Sequence, residues 1–363
     1  MITTVLAFIL TLGVLIVIHE YGHYRVAVAC GVKVLRFSVG FGRVLLRRQA
    51  TPESTEFVLC ALPLGGYVKM LDEREGPVAS AELDRSFNRK RLWQRAAIVA
   101  AGPIANFILA IIIFATIFAF YGRQTTTARV DTVVPNSAAA AAGLKPGDVV
   151  LAIDGRTIES FSDMQRVVSA NAGRTLTFQI DRGGAPMTLT ATPALKQGKD
   201  GFGNSTCQAV LGVSRSMAPG DVKTEYVNPL AAVWLGTKET WFIIDRTFSY
   251  IGGLFTGREC ADQLGGPIRI AQISGQVATL GFLPVLHLAA MLSVSIGLLN
   301  LFPVPLLDGG HLMFYLVEAT RGRPLSAKAQ EIGFRIGFAI VVMLMIFTVF
   351  NDTIQLLPRL WAS

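Results

Sequence analysis

Four stretches of this chain carry almost no charge, and each is long enough to cross a lipid bilayer. No other feature constrains the fold as strongly. Residues 1–18 (MITTVLAFILTLGVLIVI) hold no charged side chain, and the run continues with helical character into HEYGHY. The hydrocarbon core demands about 20 apolar residues in a helix, because no water is present there to satisfy an open backbone. The first stretch lacks the basic start and small-residue cleavage site of a signal peptide, so a retained helix is expected at roughly 3–28. A second run, 96–122, lies between Arg95 and Arg123. A third, between Arg269 and Asp308, contains Pro284, Pro303 and Pro305, with His287 its one titratable side chain. It is too long for one upright span, so a helix is expected near 283–301 with an irregular tail. The fourth covers about 333–351, with Arg335 at its edge, where a long side chain can snorkel.

Composition agrees. Hydrophobic residues make up 52% of the 363 and charged residues only 16%, against about 25% charged in soluble domains. That balance excludes an ordinary soluble protein and a disordered one. The net charge of +8 comes from Lys and Arg clustered beside the apolar runs, which is how membrane topology is encoded, and nucleic-acid binding is not expected. Residues 25–95 carry 13 Lys and Arg, with Arg89, Lys90, Arg91 and Arg95 just before the second span. Basic residues near span ends stay cytoplasmic. Both termini and residues 121–270 are therefore expected outside. The 303–332 loop, with Arg321, Arg323 and Lys328, falls inside, consistent with that placement.

Residues 121–215 have another texture. Short alternating runs at 128–134, 148–155, 175–184 and 186–192 read as strands, with one helix near 160–171 and turns at Pro146-Gly147-Asp148, Asp154-Gly155 and Gly183-Gly184. This is a small α+β domain inserted between spans two and three. Residues 228–256 are apolar but broken by Lys238, Glu239, Asp245 and Arg246, which suits a helix lying along the membrane surface. The organisation read from sequence is a polytopic α-helical membrane protein. It comprises span one with its histidines (1–29), a β-hairpin region (30–94), span two (95–120), the inserted domain (121–215), a connector (216–270), span three with its loop (271–320) and span four (330–352).

The chemistry concentrates in His19-Glu20-Tyr21-Gly22-His23. Residues four apart share a helix face, so both imidazoles can bind one metal ion while Glu20 reaches a water beside it. Zinc suits imidazole and can keep a position open for water. The bland alternative is two histidines at a helix end, meeting headgroups. Two of only four histidines and a glutamate interrupting a span favour the metal, since ionisable groups there are costly. A third ligand is required, and the candidates are Asp308, His311 and His287. Asp308 lies in NLFPVPLLDGG, where prolines break the helix and glycines admit close backbone approach. It could instead be a helix cap or turn residue. His311 could be second-shell or surface, and His287 a polar group inside the bundle.

HEYGH in the first span together with NLFPVPLLDGG after the third resembles the site-2 protease family of intramembrane zinc metalloproteases. Matching stretches at 37–70, 95–110 and 264–272 extend the resemblance over most of the chain. It implies Zn2+ held by His19, His23 and Asp308, Glu20 as catalytic base, and Asn300 holding the substrate backbone. It further implies a bacterial inner-membrane location with the active site near the cytoplasmic side. The implied substrates are single-span membrane proteins of anti-sigma-factor type already trimmed by another protease, and remnant signal peptides. The stretch 34–70, with Gly40, Gly42, Gly65 and Gly66, would form a membrane-associated sheet clamping substrate, where an ordinary cytoplasmic hairpin is the alternative. Gly102, Pro103 and Asn106 fit the family pattern, or mark a kink with a packed amide.

The stretch from Pro135 through Gly147-Asp148 into VVLAIDGRTI resembles a bacterial PDZ domain, expected outside the cytoplasm. Its peptide-binding strand would lie near Leu211-Gly212-Val213 and take peptide or protein chain ends, or the domain acts as a size filter. The best-known enterobacterial relatives carry two such domains in tandem, and this chain has sequence for one. Cys207 and Cys260 both fall outside, where a disulfide is permitted. A catalytically inactive PDZ-bearing adaptor and a metal transporter are the competing functions. Intact Glu20 opposes the first, and the lack of further paired acids or histidines opposes the second.

Overall fold

The computed structural model describes residues 2–73, 76, 78–199, 205–216, 222–260 and 264–360. Contacts divide the chain into two units, one of residues 1–114, 236–243 and 266–352, the other of 115–235, 244–265 and 353–363.

The chain starts with helix α1 (Ile2–Ala29), followed by two long strands, β1 (Val34–Arg48) and β2 (Glu56–Met70). These pair with repeated register shifts: residues 36–39 run antiparallel to 66–69 and in parallel order with 56–59, and 44–48 return antiparallel to 57–60. The shifts follow from Gly40 and Gly42, whose φ of +90° and +85° bend β1 where side-chain-bearing residues would be strained. Two 3-10 turns (Ser80–Arg85, Phe87–Arg89) lead into α2 (Leu92–Tyr121). After the second unit come α6 (Pro267–Ala278), α7 (Phe282–Leu301), α8 (Asp308–Arg321) and α9 (Ala327–Leu360).

Among the described residues four helices are long and apolar enough to cross a membrane: Leu6–Ala29, Leu92–Tyr121, Phe282–Leu301 and Ala327–Ile354. Their outward faces expose Leu10, Ile108, Ile112 and Leu344 among other large apolar side chains. That is unfavourable in water and ordinary against lipid tails. The expected spans at 283–301 and 333–351 sit inside these helices, that at 3–28 lies within α1, and that at 96–122 overruns α2 by one residue; the tail after residue 301 is irregular as far as 307. In the first unit two helices were not anticipated. α8 follows that tail directly, and α6 occupies part of the long uncharged run before α7. The N-terminus of α6 has no side-chain cap of its own. Instead Asp352 of α9 accepts from the backbone N–H groups of Gly266 and Arg269, both at 3.0 Å.

The second unit contains, in chain order, β3 (Arg123–Thr126), β4 (Thr132–Val133), α3 (Ala138–Ala141), β5 (Val149–Ile153), β6 (Arg156–Thr157), α4 (Phe161–Ser169), β7 (Leu176–Arg182), β8 (Ala185–Ala191), β9 (Ala194–Lys199), β10 (Ser205–Val210), β11 (Val213–Ser214) and β12 (Val222–Glu225). A four-stranded sheet of order β6-β5-β7-β8 is its centre, and β10–β9, β11–β4 and β12–β3 form separate pairs. In β7 the buried residues Leu176, Phe178 and Ile180 alternate with exposed Thr177 and Gln179, the signature of a sheet with one face in a core. Val150, Ile153, Met164 and Leu211 join them there. The run expected as a strand at 128–134 is laddered only at 132–133; Val130 N–H donates to Asp148 O instead, 2.8 Å away. Asp148 is buried and accepts from Arg182 Nε and Nη2 at 2.7 Å each and from Lys145 N–H at 2.8 Å. The Arg182 bonds hold its carboxyl below the usual carboxylate range.

Helix α5 (Pro229–Phe255) covers the segment expected to lie along the membrane, with Asn228 capping its start by accepting from Ala231 N–H at 2.8 Å. Cys30 and Cys60 are free thiols and Cys260 is disulfide-bonded. The side chain of Cys207, the other half of the anticipated bridge, lies outside the described residues.

Candidate metal centre

One turn of α1 separates His19 from His23, and their rings stand edge to face, 4.9 Å apart. The turn is usable because Gly22 has no side chain: a Cβ there would run into the Ala101 carbonyl and lie 2.8 Å from Ala105 Cβ. Gly102, the next residue of α2, lies directly under both imidazoles. A Cβ on it would stand 2.8 Å from His19 Nε2 and 2.6 Å from His23 Cε1, and would collide with His23 Nε2. Glycine at these two positions lets α1 and α2 meet with a ligand pair between them, the close approach that small residues permit inside membranes.

Asp308 arrives from the other side. The chain leaves α7 in extended form at Phe302, passes Leu306 at φ +127°, and starts α8 with Asp308. Leu307 occupies the cap position, so Asp308 is not the cap, and its carboxylate turns to the histidines. Gly309 and Gly310 permit the sharp re-entry, since a Cβ at either would strike the carbonyls of Leu301 and Phe302 or of Val304. Asp308 Oδ2 then lies 3.1 Å from His19 Nε2 and 3.4 Å from His23 Nε2, with the two Nε2 atoms 3.2 Å apart. His19, His23 and Asp308 form the group of potential metal ligands among the described residues.

The protons decide what this triangle can hold. His23 Nδ1 is 2.8 Å from the carbonyl of Ile98, which can only accept, so Nδ1 carries the hydrogen and Nε2 a lone pair. His19 Nδ1 faces the fully buried amide of Asn106 at 3.3 Å, while Asn106 Oδ1 has no partner. The two ends of an amide are interchangeable. Turned half round, Oδ1 accepts the Nδ1 hydrogen, and His19 Nε2 also offers a lone pair. Asp308 Oδ2, buried and in no hydrogen bond, offers the third. Three lone pairs converging without a proton between them require a cation. Ligands about 2.0–2.1 Å from a tetrahedral zinc stand roughly 3.3–3.4 Å from one another. The triangle of 3.1, 3.2 and 3.4 Å fits that ion.

Glu20 points to the other flank, where its Cγ would be 2.9 Å from a Cβ on Gly66 of β2. A Cβ on the neighbouring Gly65 would collide with the Phe41 ring. Gly66 therefore brings the sheet against the acid, and Gly65 leaves room within the sheet for Phe41. Asn300 closes the last turn of α7, its Nδ2 donating to Ile296 O at 3.0 Å. The other candidate ligands stay outside the cluster: His311 packs against Phe334 and His287 against Phe114, each at 5.4 Å. In the second unit Leu211 is buried in the core, Gly212 takes φ +86°, and Val213 pairs with Val133. Sequence reasoning did not find the Ile98 carbonyl, which no side chain announces, nor Ser293, whose hydroxyl donates to Asn106 O at 2.8 Å.

The sequence matches peptidase family M50 over residues 7–344. The chain belongs to that family, the site-2 protease family anticipated from its motifs. A Rhizobium meliloti (strain 1021) relative, provisionally named a zinc metalloprotease, is 47% identical over 359 residues, covering 96% of each chain. The metalloprotease MmpA of Caulobacter vibrioides is 40% identical, covering 94% of this chain and 93% of its own. The regulator of sigma-E protease RseP of Escherichia coli (strain K12) is 33% identical, covering 95% and 97%.

Proposed function

We propose that this M50 peptidase is a zinc endopeptidase that cuts single-span membrane proteins within the bilayer. The observation that carries the reading is the triangle of His19 Nε2, His23 Nε2 and Asp308 Oδ2, 3.1 to 3.4 Å on a side, with His19, His23 and Glu20 on a helix long enough to span a membrane. A zinc ion held there supplies Lewis acidity toward a peptide carbonyl and acidifies water towards neutral pH. Asn106 and Ile98 hold the Nδ1 hydrogens of His19 and His23, so that each Nε2 turns a lone pair to the metal position. Glu20 accepts the proton of the attacking water and returns it to the leaving nitrogen, so one carboxylate serves as base and then acid. The substrate must be extended at the cut, since a helix hides its amides. Gly65 and Gly66 offer backbone beside Glu20 against which such a strand can be held, and Asn300 would hold its continuation.

Substrates of anti-sigma-factor type, cut after a prior extracytoplasmic cleavage, and remnant signal peptides follow from the family resemblance. The basic 89–95 cluster supports an inner-membrane orientation with termini and the inserted domain outside and the site near the cytoplasmic face. The inserted domain is read as PDZ-like, with Leu211–Val213 in its peptide-binding strand.

The test is cleavage of a tagged single-span substrate by purified protein in detergent. Wild type, Glu20→Gln and chelator-treated wild type run side by side, with metal content measured. Cleavage by wild type alone, with zinc retained in Glu20→Gln, supports the reading. Wild type that binds no metal refutes it and leaves the inactive adaptor.

A further inference from the structure

Arg95 sits in the first turns of α2, buried and ionic, and the proposed mechanism gives it no task. Its guanidinium grips Glu318 of α8 with two bonds, Nη2 to Oε1 at 2.5 Å and Nη1 to Oε2 at 3.3 Å. The two side chains are only 10% and 16% exposed. The guanidinium carbon also lies 5.1 Å from the ring centroid of Tyr315, one turn earlier on α8.

Helical geometry connects this pair to the metal centre. At about 100° per residue, Arg95, Ile98, Gly102 and Asn106 fall within a stripe roughly 80° wide on α2. Ile98 O orients His23, Gly102 makes room for both rings, and Asn106 orients His19. On α8, Tyr315 is seven residues beyond Asp308 and so shares its face within about 20°. The stripe on α2 that indexes both histidines thus ends in a clamp on α8, the helix whose first residue is Asp308, with Tyr315 on the Asp308 face and Glu318 about 80° round from it. A buried ion pair seldom adds net stability over well-packed apolar residues, but its planar two-bond fork admits one register.

We propose that Arg95 and Glu318 are positioning residues: their clamp sets the axial register and rotation of α8, and thereby the place of Asp308 relative to His19 and His23. The inference rests on the zinc reading of the site.

The test is the rate at which purified, zinc-loaded protein loses its metal to excess EDTA, followed beside kcat, KM and thermal unfolding. Arg95→Gln and Glu318→Gln are expected to release zinc at least about tenfold faster, the usual scale for loss of a group that orients a ligand, with kcat lowered and KM little changed. The swapped pair Arg95→Glu/Glu318→Arg should recover most of the loss. The apolar pair Arg95→Met/Glu318→Leu keeps the packing, so it should unfold near the wild-type temperature yet still release zinc fast. That combination is foreign to a merely structural role. Wild-type release rates in folded single variants overturn the inference. So does an apolar pair that holds zinc as wild type does, and that variant decides the matter if the single ones fail to fold. Wild type without zinc would instead defeat the reading of the site itself.

Discussion

Replacing Gly102 with Ala separates helix stability from metal binding. In a helix interior Ala is worth roughly 1 kcal/mol more than Gly, so α2 alone should gain. The added methyl carbon would stand 2.8 Å from His19 Nε2 and 2.6 Å from His23 Cε1. Ordinary carbon contacts begin near 3.5 Å, and the Cβ would also collide with His23 Nε2, so the imidazoles or the helices must yield by at least about 0.9 Å. Metal–ligand distances tolerate about 0.2 Å, and each ring is tied at Nδ1 to α2 itself, so the rings cannot retreat without breaking those bonds. Zinc affinity should fall by at least about 100-fold, or roughly 2.8 kcal/mol at 1.4 kcal/mol per decade. Metal content after dialysis against a graded chelator series measures this, and a thermal melt of the metal-free protein measures the fold. The expected result is a metal-free melt at or above that of wild type with zinc lost. Full zinc retention with wild-type cleavage would show that the Gly102 approach does not shape the centre, and the geometric argument would fall with it.

Asn106→Leu should weaken zinc binding about 10–100-fold, whereas Asn106→Asp, which can still accept the Nδ1 hydrogen of His19, should retain more of it. A chelator titration ranking Asp below Leu would refute the amide orientation argued above. In the second unit Asp148→Asn removes a charge-assisted anchor for Arg182 and should cost about 1.5–3 kcal/mol, read as faster hydrogen exchange in β5 and β7 of the full chain. Because the folded Asp148 carboxyl titrates below its ordinary value, its stabilisation is complete above that ordinary range. It fades as pH falls through the lowered folded value. Wild type should therefore converge on Asp148→Asn in acid, and a gap that stays constant down to acid pH contradicts the assignment. Asp352→Ala strips the N-terminus of α6 of its cap at Gly266 and Arg269, a loss of about 1 kcal/mol, and exchange at 266–270 should rise roughly fivefold while β7 is unaffected.

The long apolar helices and the histidine pair that could bind a metal were legible in the sequence because each is set by local physics. Charge-free length defines a helix in lipid, and a four-residue spacing puts His19 and His23 on one face. From its residues alone Asp308 was one candidate among three, singled out only by the family resemblance, because prolines and glycines announce an irregular loop without saying where its end points. What decided among the three was the packing of Gly309 and Gly310 against carbonyls six to eight residues back, which no pattern of hydrophobicity records. α6 stayed hidden for a related reason. Its first-turn N–H groups are satisfied by a carboxylate 83 to 86 residues away in sequence, so the usual capping residue is missing where a reader looks for it. The same absence of local sign applies to Ile98, which acts through its carbonyl, and to Gly102, which acts through the atom it lacks. In this chain the ligands are written as side chains, and the frame that orders them is written as backbone and empty space on α2. Substitutions on that frame should therefore change metal retention before they change the fold.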